Sequence, residues 1–142
     1  VPEYIFVPVG NGSLLLGLYH GFAKLGRLPH LIAVQSTKCA PVVEAFHHLP
    51  ETPRKSTIAE SIRVSAPPRL DELCTVLQRS RGDAIAVVDS EILKAAKQLN
   101  RRGLYAELTA VAALAGARSF FADGTPDNYR VILPVPGSGL KR

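Results

Sequence analysis

Two rhythms alternate in the apolar positions of this chain. Short unbroken runs, Ile5 to Val9, Leu31 to Gln35 and Ala84 to Val88, have the length and β-rich composition of strands buried on both faces. The stretches between them place apolar residues at helical spacing. Leu14 to Leu25 predicts a first helix closed by Gly26, and a second runs from Pro41 to about Leu49, with Ser36-Thr37 as a possible cap. After an irregular crossing with a short helix from Pro50 to Ala66, Pro67-Pro68 introduces a helix with Leu70, Leu73, Cys74 and Leu77 on one face, ended by Gly82. Ile92, Ala95, Ala96 and Leu99 repeat that spacing in a helix capped by Asp89, basic at its end through Arg101-Arg102 and closed by Gly103. Leu104 to Ala106 reads as a short strand, Leu108 to Ala117 as a helix buried on most sides, Asp123 to Asp127 as a turn, and Tyr129 to Leu133 as the last strand. The alternation predicts an α/β fold, three-layered around a mostly parallel sheet of four to five strands with flanking helices. At 142 residues this is one domain.

The first strand runs straight into Gly10-Asn11-Gly12-Ser13, where the glycines allow a turn at positive φ and Ser13 is placed to cap the helix. A helix start leaves backbone N–H groups unpaired and carries partial positive charge, so this turn is a candidate anion cradle. A dinucleotide fingerprint would need a third glycine where Leu15 stands and an acid where Gln35-Ser36 stands. A Walker loop would need a lysine that no glycine of this turn precedes. Gly17 and Gly21, four apart on the helix, predict close packing of that face against a neighbour. A second glycine-bearing segment, Pro136 to Leu140, follows the last strand, and the two glycine segments are expected to face one site beyond the carboxyl ends of the strands.

The formal charge of +5 comes from scattered residues with only short basic runs, which argues against a nucleic-acid surface. Cys39 and Cys74 have no metal-ligand spacing and form no disulfide framework, and His20 and His47-His48 have no partners at metal spacing. Cys39 reads as a small packing residue beside Lys38. The cysteine usage fits a reduced, intracellular chain, and no apolar run is long enough to span a membrane, so a soluble, cytoplasmic protein is expected. The chain starts at Val1 and contains no methionine, which predicts a fragment or a processed chain.

Four segments then carry a resemblance. Pro8-Val9-Gly10-Asn11-Gly12, Thr57-Ile58-Ala59-Glu60, Gly103 to Ala110 followed by Ala113-Leu114-Ala115, and Gly137-Ser138-Gly139-Leu140-Lys141 resemble, in order, segments of threonine synthase-like enzymes of the pyridoxal phosphate fold type II group. The chain looks like the C-terminal part of such an enzyme. The resemblance implies that Gly10, Asn11, Gly12, Ser13 and Leu14 hold the cofactor phosphate, and that Glu107, Glu60, Pro136 and Gly137 lie near the cofactor. It also implies a lyase of amino-acid biosynthesis that converts O-phosphohomoserine to threonine. The expected partners are the missing N-terminal part, an amino-acid substrate and a second copy in a homo-oligomer, with no nucleic acid and no membrane.

Three departures bear on activity. Pro136 stands where the family usually has a hydroxyl residue that bonds the pyridine nitrogen, Leu108 replaces a proline and Ser61 a glycine. None of Lys24, Lys38, Lys55, Lys94, Lys97 or Lys141 lies in the family's Schiff-base lysine motif, which belongs to the N-terminal part. The isolated chain is therefore expected to be inactive. Two rival readings remain at this point: a non-catalytic binding or regulatory module derived from such an enzyme, and part of a related dehydratase or β-replacement enzyme.

Overall fold

The computed structural model describes residues 1–124 and 126–140. Thr125, in the expected turn, and Lys141, in the last motif, lie outside the described residues. Strand β1 (Tyr4–Pro8) pairs in parallel with β2 (His30–Ser36), Tyr4 opposite His30 and Pro8 opposite Val34. On its far side β2 pairs in parallel with β3 (Asp83–Val87), Ile32 opposite Asp83. Strand β4 (Val131–Ile132) returns to the free side of β1, Tyr4 opposite Val131, so the order is β3-β2-β1-β4. The order reverses at β1, because the chain steps outward through β2 and β3 and then crosses back to place β4 on the other side of β1. In open parallel sheets that reversal opens a crevice at the strands' carboxyl ends.

The helices are α1 (Ser13–Lys24), α2 (Pro41–Phe46), α3 (Leu70–Arg79), α4 (Asp89–Arg101) and α5 (Leu108–Phe120). Alternate strand residues serve the two sheet faces. Ile5, Val7, Val9, Leu31 and Ala33 pack with Leu15, Leu16, Val42, Leu73 and Leu77 of α1, α2 and α3. Phe6, Ile32 and Val34 face Ile92, Ala95, Val111, Ala112 and Ala115 of α4 and α5. The architecture is thus the expected three-layer α/β arrangement, with four strands. Each fully buried leucine or isoleucine in it contributes about 2 kcal/mol through removal from water.

Several local expectations are corrected. Ser13 makes no capping hydrogen bond: Gly12, at φ 86°, is the N-cap, and Ser13 is the first helical residue. Asp89 is likewise the first residue of α4, after an extended Val88, and its carboxylate turns away from the helix. The N-terminus of α2 is served by Gln35 instead of Ser36-Thr37, and α2 ends at Phe46. Arg81, not Gly82, takes the left-handed conformation after α3. Leu104 to Ala106 contributes a single antiparallel bridge, Ala106 to Ser138, and the crossing contains one 3-10 turn, Glu60–Ile62. Gly17 and Gly21 do not pack closely: a Cβ built at either would meet nothing within 4 Å.

Two ion pairs secure the irregular parts. Glu3 is gripped by Arg130, whose side chain and backbone N–H both donate to it, and its carboxyl is lowered to about 2. Glu44 of α2 is buried, which pushes its carboxyl up, but donation from Thr52 and Arg54 outweighs burial and holds it below the usual carboxylate range. Arg54 Nη1 lies 2.7 Å from both Glu44 oxygens; it is aligned on Oε1, so Oε2 takes the charge contact without a directed hydrogen bond.

A carboxylate whose folded pKa is depressed adds stability above its unfolded pKa and loses it as pH falls through the folded value. Urea unfolding should therefore give a stability that is flat above about pH 5 and declines as the pH is lowered toward the depressed folded values. Glu44→Gln should reduce that slope, and an unchanged slope would show that the Glu44 ion pair does not contribute.

Candidate functional site

The candidate site is built at the reversal point. Val9 still belongs to the sheet, its N–H donating to Val34 O at 3.0 Å, and Leu16 N–H already donates to Gly12 O at 3.0 Å within the helix. Between them, among the described residues, the amides of Gly10, Asn11, Gly12, Ser13, Leu14 and Leu15 donate to no protein acceptor. Asn11, Ser13 and Leu14 are exposed. A run of unpaired donors at the positive end of a twelve-residue helix is suited to an anion with several oxygens, above all a phosphate.

Protein packing demands the two glycines of this loop. At Gly12 the positive φ disfavours any side chain, and a Cβ would run into the buried side chain of Leu73. At Gly10 a Cβ would lie 2.8 Å from Ser61 O and 3.3 Å from Ile62 Cα. The loop is thus clamped between α3 on one side and the 3-10 turn on the other.

Gln35, fully buried at the end of β2, supports the loop from beneath. Its Nε2 donates to Val9 O at 3.0 Å, while its Oε1 accepts the N–H groups of Val42 and Val43 at 2.9 and 3.4 Å. One amide side chain therefore fixes both the last residue before the cradle and the start of α2. Sequence reasoning met Gln35 only as a failed acidic position; the signal available was an uncharged polar residue at the end of a buried strand.

Beside the cradle lies a concavity of about 380 Å³, lined among others by Ile58, Glu60, Ser61, Glu107 and Gly139. Ser61 belongs to both, lining this concavity while its carbonyl abuts Gly10. The wall is an antiparallel contact between residues 105–107 and 137–139: Glu107 N–H donates to Gly137 O at 3.2 Å and Gly139 N–H to Tyr105 O at 2.9 Å. A Cβ on Gly137 would coincide with the Glu107 carboxyl group, so the two predicted residues are in contact. Pro136 is exposed immediately before this junction.

A second polar cluster sits at the ends of β2 and β3. Asp89 Oδ1 accepts from Thr57 Oγ1 at 2.6 Å, and Oδ2 from Lys38 Nζ at 2.8 Å and Ile58 N–H at 3.3 Å. Burial raises the Asp89 carboxyl, but these donors outweigh it and hold it below the usual range. Cys39 is buried in the core, and among the described residues no group of three or more His, Cys, Asp or Glu side chains is placed to hold a metal. No helix of the described residues is long and apolar enough to cross a membrane.

A parallel α/β domain with a phosphate-suited loop at the sheet's reversal point belongs to the broad class of proteins that bind phosphorylated ligands beyond their strand ends. A family model for pyridoxal-phosphate dependent enzymes matches residues 1–137, and the chain belongs to that family, whose cofactor is pyridoxal phosphate. It is 31% identical to threonine synthase of Methanocaldococcus jannaschii over 153 aligned positions, covering 99% of this chain and 38% of that protein. It is 34% identical to threonine synthase of Methanosarcina acetivorans over 129, covering 83% of this chain and 32% of that protein. The chain spans less than half the length of these relatives. Among solved structures, a fungal L-serine ammonia-lyase from Rhizomucor miehei superposes with TM-score 0.80 at 23% identity, over 96% of this chain and 45% of that one. Maize serine racemase gives 0.80 at 19%, over 97% and 43%. These likenesses establish the fold: fold type II.

Gln35→Leu should leave Val9 O and Val42 N–H buried without partners and destabilise the chain by about 3 kcal/mol. Chemical denaturation measures this, and a loss below about 1 kcal/mol would mean that Gln35 does not hold the cradle in place.

Proposed function

We propose that this chain is the cofactor-phosphate part of a threonine synthase-like lyase. The single observation that carries the reading is the run of unpaired amides from Gly10 to Leu15 at the start of α1. The residues fit a phosphate ester: the donors converge from one loop and the first turn of one helix, and, among the described residues, no side-chain carboxylate accepts from them. Gly10, Asn11, Gly12, Ser13 and Leu14 would hold the phosphate oxygens. Glu107 and Gly137, in contact with each other, and Pro136 beside them would wall the ring end.

Pyridoxal phosphate, when bound, supplies an electron sink for carbanion chemistry on an amino acid. This chain's own contribution is binding and orientation. Its amides and the helix dipole neutralise the phosphate, and the 3-10 turn and the Glu107 to Gly137 wall limit where the remainder of the cofactor lies. By likeness to threonine synthases, the substrate class is a phosphorylated hydroxy amino acid that loses phosphate and gains water. The remaining partners in this reading are a lysine-bearing part of the enzyme and a second copy of it, in the cytoplasm. Among the described residues no lysine lines the concavity beside the cradle, and Lys38 is paired with Asp89 and Lys94 with Glu91. The 142-residue chain by itself is accordingly inactive in this reading.

A second reading, a non-catalytic module descended from such an enzyme, is favoured by Pro136, which offers no side-chain hydrogen bond at the ring end.

Calorimetric titration of the purified chain with pyridoxal phosphate should give saturable binding that inorganic phosphate competes away, without a lysine adduct after borohydride. Ser13→Asp places a carboxylate at an exposed first-turn position that favours helix formation, so it should keep the fold while weakening binding about tenfold or more. Absence of binding by the wild-type chain would turn the assignment to the non-catalytic module, and a specific lysine adduct would refute inactivity by lack of an amine.

A further inference from the structure

The crossing from Pro50 to Ala66 has almost no regular structure, yet its far end forms the outer side of the cradle. Ser61 O, Ile62 Cα and the Val64 side chain are the atoms closest to the position a Gly10 Cβ would occupy. Ala59 and Ile62 are buried against α5 and the sheet, which holds the segment down but does not fix it lengthwise. Its near end is tied to α2, where Thr52 and Arg54 donate to Glu44. Closer to the cradle, Lys55 N–H donates to Lys38 O at 2.8 Å, Arg63 donates to Ser56 Oγ at 3.0 Å within the segment, and Thr57 and Ile58 both donate to Asp89.

Asp89 is unusual for a carboxylate in the first turn of a helix. It makes no capping bond to α4, and its oxygens point instead to a segment more than thirty residues upstream. Ser36 Oγ, at the end of β2, donates to the same Oδ1 at 3.4 Å, and Lys38 Nζ anchors Oδ2. Thr57 Oγ1 passes the connection on, donating to Asp89 and accepting the N–H of Ala59 at 3.3 Å. From there Ala59 O accepts the N–H of Ile62 and Glu60 O that of Arg63, which closes the 3-10 turn against Gly10. A continuous chain of hydrogen bonds thus links the carboxyl ends of β2 and β3 to the wall of the cradle.

We propose that Asp89, oriented by Lys38 and acting through the Thr57 hydroxyl, is a positioning residue for the phosphate cradle. It touches neither the cradle nor any ligand there. Its work is to set the register of residues 57–64, and with it the packing of Ser61 and Ile62 against Gly10 that holds the loop and its amides in place. The proposal rests on the phosphate-cradle reading above for its functional meaning. Its mechanical part, the coupling of Thr57 to the 3-10 turn, holds in the ligand-free chain as well.

Thr57→Val removes the hydroxyl at nearly constant volume, Thr57→Ser retains it, and Lys38→Met removes a half-exposed cation outside the core. Each would be studied in the 142-residue chain for three quantities: amide hydrogen exchange at Ile62, Arg63 and Val64, thermal midpoint, and affinity for pyridoxal phosphate and for inorganic phosphate. Thr57→Val should speed exchange at those amides about tenfold relative to Val34 in the sheet and weaken both affinities about tenfold. Thr57→Ser should restore both, and Lys38→Met should give a smaller change of the same sign with the fold intact.

A Thr57→Val chain with a lowered midpoint but unchanged exchange ratio and affinities would overturn the proposal, because the hydroxyl would then be structural only. So would equal losses in the serine and valine variants. If Thr57→Val does not fold, Lys38→Met decides alone, and no change in its exchange ratio would overturn the proposal. Failure of the wild-type chain to bind either ligand would defeat the cradle reading, while the exchange data would still support or overturn the coupling.

Discussion

The geometry of this molecule depends on a backbone problem at the end of β1. There the parallel sheet must stop, the chain must turn through Gly10 to Gly12, and α1 must begin, all within a few residues. A parallel ladder consumes the amides before the turn and the helix consumes those after it. The amides between have no acceptor among the described residues, and the turn is too tightly held by Leu73 and Ser61 to rearrange and find one. An anion is the natural partner for such a group, and the surrounding parts follow from keeping the turn rigid: Gln35 beneath it, the 3-10 turn beside it, and the Glu107 to Gly137 contact across the crevice.

The reversal of strand order adds the second element. Because the crossover returns β4 to the free side of β1 and the two strands run parallel, the segments that follow β1 and β4 leave the same end of the sheet as neighbours. The chain's two glycine-bearing segments are thereby brought toward one region although more than a hundred residues separate them. In the proposed reading, that region is where the cofactor would sit.

The strands and helices were legible because apolar runs and helical spacing report burial directly. The tight strand-to-helix turn at Gly10 to Gly12 was also legible, since glycines between a strand and a helix mark a turn at positive φ, as Gly12 shows. What the pattern could not reveal was the direction of polar side chains. Asp89 has the sequence context of a cap, yet its carboxylate serves Thr57; Ser13 has the chemistry of a cap, yet Gly12 takes the position through its backbone. Gln35 and Glu44 are polar residues in the interior, and their roles depend on partners brought close only by the fold. Gly17 and Gly21 suggested a close helix contact that the structure does not contain: with Leu14, Leu18, Phe22 and Leu25 they line an open apolar groove.

The brief pairing of β4 with β1 has a consequence for how the molecule comes together. Tyr4 and Val131 are neighbours in the sheet but lie at nearly opposite ends of the sequence, so their meeting closes almost the whole chain into a loop and carries the largest entropy cost of any pairing in the sheet. Strands β1, β2 and β3 close shorter loops and share the larger core. The Glu107 to Gly137 contact lies just beyond β4 in the sequence and depends on the same long closure, so one wall of the crevice is tied to the most distant pairing of the sheet and the other to its most local ones.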